Sequence, residues 1–70
     1  MVEVFVSDVN STVKAKEIVA LLHKHFNGYQ VNFDLDDCDN ILRVMSVNTI
    51  NTKSLIDFLA CHDVKIEPLN

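Results

Sequence analysis

The sequence has no Trp, one Gly, one Pro and five aromatic residues among 70. With so little Gly and Pro there is scant material for long loops, and most of the chain must lie in regular elements. Basic residues are also few. Six Lys and Arg against ten Asp and Glu leave a formal net charge of −4. A phosphate backbone is gripped by clustered Lys and Arg, and these six are scattered, so nucleic acid is not an expected partner. No apolar run approaches the ~20 residues of a membrane helix. The opening MVEVFVSD has no basic stretch followed by an apolar one, as a secretory leader would. These absences point to a soluble, cytoplasmic protein with no membrane partner. The cysteines number two, Cys38 and Cys61, where small secreted domains carry a denser disulfide framework. Two reduced thiols are expected.

What is present is apolar patterning. Apolar residues make up 49% of the chain and charged ones 23%, a globular balance that fits one domain over residues 1–70. VEVFV (2–6) is β-branched and aromatic, as strands are. Asn10, Ser11 and Thr12 are N-cap types, and Ala15, Ile18, Val19, Leu22 and Phe26 follow at helical spacing. Asn27-Gly28 is a stop signal. Tyr29, Val31, Phe33 and Leu35 alternate with polar residues, as in a half-buried strand. DDCDN (36–40) is a turn, and ILRVMSV (41–47) is a third strand. Asn51 and Thr52 can cap a second helix with a stripe at Leu55, Phe58, Leu59 and His62. VKIEPL (64–69) closes as a strand, with Pro68 suited to an edge.

The order β-α-β-β-α-β is the split βαβ, or ferredoxin-like, pattern. The fold class expected is α+β: a four-stranded antiparallel sheet of order 4-1-3-2 with two helices on one face. Val2, Val4 and Val6 are expected to face the helices, with Phe5 on the open face. Val31, Phe33, Leu42, Val44 and Ile66 should join the core. Glu3, Asn32, Arg43 and Lys65 should keep the open face mostly polar. This topology gathers Asp8, Ser11, residues 36–39, Cys61, His62 and Asp63 at one end, and sends His25, Asn27 and Gly28 to the other.

VEVFVSDV, VNFDLDDCDNILRV and LIDFLACHDVKIEPL together resemble a heavy-metal-associated domain, the fold of small copper chaperones, over essentially the whole chain. That family carries M-x-C-x-x-C in its first turn, and its two thiolates bind Cu(I). Here SDVNSTVKAK (7–16) holds no cysteine. Val9 falls near the Met position, a buried apolar role. The first Cys aligns with Ser11 and the second with Ala15, in a turn one residue longer than usual. A hydroxyl does not replace a thiolate for a soft monovalent ion. The resemblance thus implies the fold without the metal site.

Several constellations invite sharper readings. Cys38, Cys61 and His62 could form a relocated copper or zinc site, since thiolate and imidazole suit both ions. Against this, the hairpin tip and the start of strand 4 lie about three strand spacings apart, roughly 14 Å at ~4.8 Å each, too far for a shared ion or a disulfide. On that view Cys61 is a small core residue of the helix stripe and Cys38 an exposed turn thiol. DLDDCDN fails the calcium-loop pattern, placing Cys38 where a ligand is needed and Asp39 where a Gly is needed. His23 and His25 point apart on a helix, and both suit the negative end of its dipole. No nucleophile has a base within reach and no Gly-rich phosphate cradle exists, so no enzyme is expected.

Three functions remain. The first is a chaperone-like binding or interaction module without a Cu(I) site. It would meet a protein partner, or a second copy, through an edge strand or the acidic end. The second is a metal carrier using Cys38, Cys61 or His62. The third is a small-ligand regulatory domain acting as a dimer.

Overall fold

The computed structural model describes residues 1–35 and 40–69. In chain order the elements are β1 (Val2–Ser7), α1 (Thr12–His25), β2 (Gln30–Asp34), β3 (Ile41–Met45), α2 (Thr52–Ala60) and β4 (Ile66–Pro68). All strand pairs are antiparallel. The sheet order is β2-β3-β1-β4, which read from the opposite edge is β4-β1-β3-β2. The architecture is α+β, one four-stranded sheet with two helices.

Each helix starts at a side-chain cap. Ser11 holds an extended backbone while its Oγ accepts from the Lys14 N–H at 3.3 Å. Asn51 Oδ1 accepts from the Ser54 N–H at 3.0 Å. Both bonds satisfy an amide that the helix itself leaves unpaired. α1 stops where the Phe26 N–H bonds the Leu22 carbonyl, and Gly28 then takes a φ of +91°. Only glycine adopts that region at no steric cost. The Tyr29 hydroxyl accepts from the Asn51 N–H at 2.9 Å, which ties the start of β2 to the start of α2.

α2 ends differently. The Val64 N–H reaches back to the Leu59 carbonyl at 2.9 Å, and Asp63 turns left-handed, with φ +61°. Glycine is the usual residue at such a position. Asp63→Gly is therefore expected to stabilise the domain by about 0.5–1 kcal/mol, the strain relieved less the extra freedom of the unfolded chain. Urea denaturation of both proteins checks this. A loss of stability would mean that the Asp63 side chain holds the turn.

Ala15, Ile18 and Leu22 of α1, Leu55 and Leu59 of α2, and Phe5, Val31, Leu42, Val44 and Ile66 of the sheet form one buried cluster. Val9 and Val64 close it at the turn end. Phe33 is half-buried against it.

β1 presents the opposite face from the one expected. Phe5 is fully buried, whereas Val2 is 56% exposed and Val4 and Val6 are half-buried. Phe5 pairs with Leu42 and Glu3 with Val44, so side-chain alternation puts Glu3, Phe5 and Ser7 on the core side. Three consecutive apolar residues, Val4-Phe5-Val6, leave the period ambiguous. The ring at position 5 fills the core, and Ser7 is buried because its hydroxyl donates to the Asn40 carbonyl at 2.6 Å. The open face is accordingly not mostly polar. Val2, Val4 and Val6 meet Met45, Arg43 and Ile41 there. Ile41 is buried yet stands apart from the core cluster.

Candidate functional site

The first turn and the end of α2 converge as the topology requires. The Asp8 N–H donates to the Lys65 carbonyl at 3.2 Å, and Asp8 Oδ1 accepts from the Lys65 N–H at 3.1 Å. Ser7 bonds Asn40 through both its N–H and its hydroxyl, and its Oγ accepts from the Val9 N–H at 3.3 Å. The polar groups of SDVNS thus fasten the turn to β4 and to the start of β3. Asp8, Asn10, Ser11, Lys14 and Asp63 line a small hollow of about 250 Å³ at this end.

The predicted metal ligands fall as follows. Cys61 caps the C-terminus of α2 and is exposed. It is not a core residue. Leu59 is the last buried position of the stripe, and at 3.6 residues per turn Cys61 points about 200° away from it. His62 is also exposed. Its ring lies 4.8 Å from the Phe58 ring. Cys38, together with Asp36, Asp37 and Asp39, lies outside the described residues. Among the described residues, no group of three His, Cys, Asp or Glu side chains is placed to hold a metal ion.

His25 does not sit at an end remote from His62. Its ring lies 4.9 Å from Phe58, so the two histidines border the same aromatic ring. Phe58 also meets Phe26 edge-on at 5.4 Å, and Phe26 stacks on Tyr29 at 5.5 Å. Phe58 lies near the end of a short α2, so the α1 terminus and the residue just past α2 both reach it.

A larger concavity than that hollow lies elsewhere, as an open groove of about 860 Å³ between α1 and β2. Ala15, Val19, Val31, Phe33 and Leu35 give it apolar walls, and Lys16, His23, Asp34 and Arg43 give it charge and polarity. Arg43 Nη1 donates to Asn32 Oδ1 at 3.3 Å across β3 and β2. β2 is an edge strand, and its free side borders the groove.

Backbone hydrogen bonds fix which groups that edge presents. Ser7 bonds Asn40, and Ser46 bonds Met1, so the hydrogen-bonded pairs of β1 and β3 fall at Ser7–Asn40 and Met1–Ser46. Antiparallel ladders alternate, which turns Ile41, Arg43 and Met45 towards β2. Their partners are Asp34, Asn32 and Gln30. Val31 and Phe33 therefore direct their N–H and C=O groups outward. The apolar side chains of these same two residues face the groove.

The sequence points to the edges of strands 2 and 4 alike as pairing surfaces, but not to the groove beside β2. Ala15 and Val19 read as core stripe, and nothing in the pattern says that α1 leaves the flank of β2 open. The absence of Lys and Pro from QVNFD signals an unguarded edge, not the groove.

No family model matches the chain, and no curated protein or solved structure does either.

Proposed function

We propose that this chain is a ferredoxin-like domain resembling the heavy-metal-associated fold, that it lacks that family's Cu(I) site, and that it works as a binding module for another polypeptide. The observation that carries this reading is the open edge of β2 beside a groove walled in part by apolar side chains. Outward N–H and C=O groups give an extended chain its hydrogen bonds, and a neighbouring apolar surface takes its alternate side chains. The residues at the family's metal-binding turn support the same reading. Ser7 and Asp8 bond the neighbouring backbone and Ser11 caps α1.

The competing reading is a metal carrier using Cys38, Cys61 or His62, and a titration separates the two. The reduced protein is titrated anaerobically with Cu(I) and with Zn(II) against a chelator of known affinity. The expected result is no binding above the chelator's competition, with Cys38→Ser, Cys61→Ser and His62→Ala indistinguishable from the parent. Tight stoichiometric binding that these changes abolish would replace the interaction module with a rebuilt metal site.

A further inference from the structure

We infer that the partner at the β2 edge is the β2 edge of a second copy of this chain, joined antiparallel about a two-fold axis through Asn32. The inference rests on the interaction-module reading and specifies its occupant.

The two sheet edges are not equivalent. β4 is three residues long and contains Pro68, which has no N–H to donate. A short edge with a proline is guarded against pairing. β2 is five residues long, QVNFD, with neither Pro nor Lys. Its outward backbone belongs to Val31 and Phe33.

The ladder then restricts the register. Outward-directed residues must face outward-directed residues. Of the alignments that satisfy this, centring on Asn32 pairs all five strand residues. Val31 faces Phe33 of the second copy, and Phe33 faces its Val31. Both pairs are apolar, lie on the α1 side and fill the groove. Asn32 faces its own equivalent, and Gln30 faces Asp34 of the second copy. The chain carries net charge −4, yet no pair sets like charges opposite each other. Arg43, bonded to Asn32, adds a cation to the open side of the seam. The strand's own alternation of apolar and polar side chains thus matches the groove and edge it borders. The product is one continuous eight-stranded sheet.

Residue 32 is the one strand position that meets itself, which makes the register testable. Sedimentation equilibrium is expected to show reversible dimerisation, with a mass approaching twice the 7.9 kDa chain as concentration rises. Asn32 is exposed, so Asn32→Lys should keep the far-UV circular dichroism of the parent. It should weaken the dimer about two- to fivefold, through two like charges placed directly opposite. An equimolar mixture with Asn32→Asp should restore association. In a Cys38→Ser, Cys61→Ser background, Asn32→Cys should oxidise to a covalent dimer, because non-hydrogen-bonded antiparallel pairs approach to about 4.5 Å between Cα atoms. Gln30→Cys should not. A monomer at every concentration would overturn the inference. So would a dimer indifferent to Asn32→Lys, or cross-linking at position 30 as readily as at 32. A monomer that neither dimerises nor binds metal would still leave the interaction-module reading, with an extended segment of another protein as the remaining occupant. Tight metal binding would instead remove that reading itself.

Discussion

Phe5→Ala is expected to destabilise the domain by about 3–5 kcal/mol, the usual cost of removing a fully enclosed aromatic ring. Phe5 is fully buried and pairs with Leu42 in the central strands, beside Val44 of the same core. A chain of this length has a total stability of only about 4–10 kcal/mol, so the variant should forfeit a large share of it and melt more than about 10 °C below the parent. Val2→Ala serves as the comparison. Val2 is 56% exposed, and its truncation should cost less than about 1 kcal/mol. Thermal unfolding followed by circular dichroism reads both. If Val2→Ala were the more damaging change, the face assignment of β1 would be reversed, and with it the apolar character of the open face.

The second large effect is expected at Phe58. This ring is half-buried and contacts Phe26 as well as His25 and His62. Phe58→Ala should cost about 2–3 kcal/mol, less than a fully enclosed ring because part of the surface is already wet. The more specific readout is magnetic. The ring current of Phe58 acts on both imidazoles, so the side-chain proton resonances of His25 and His62 should move together in the variant. His23 lines the α1/β2 groove instead and should stay where it is. A shift of one histidine alone would break the three-ring cluster that joins the ends of the two helices.

These two residues also mark how far the sequence could be read. Element order, both helix starts and the end of α1 are legible because local chemistry fixes them. Ser11 and Asn51 cap, Gly28 stops, and the Leu55/Leu59 spacing faces inward. Strand facing was not legible in β1, because Val4-Phe5-Val6 satisfies either phase. The choice is made across the sheet, by the space opposite Leu42 and by the Ser7–Asn40 bond. In β2 the period is strict and the facing follows it. Cys61 is exposed because it lies off the Leu55/Leu59 stripe, and His62, the next stripe position, is exposed because α2 ends at Ala60. The approach of His25 and His62 to one ring depends on the short length of α2, which residue spacing does not encode. The groove depends on how far α1 stands from the flank of β2. That is a packing distance between elements, and no local pattern records it.

The pairing of β1 has a consequence for the integrity of the chain. β1 belongs to the first half of the sequence, yet both its neighbours, β3 and β4, belong to the second. Asp8 and Lys65 bond across 57 positions. Neither half can complete a sheet from its own strands. Residues 1–35 would hold β1 and β2 with β3 missing between them, and residues 40–69 would hold β3 and β4 with β1 missing between them. Severing the chain within the hairpin would leave two fragments, each an incomplete template for the other. Native structure would then return only by their reassociation.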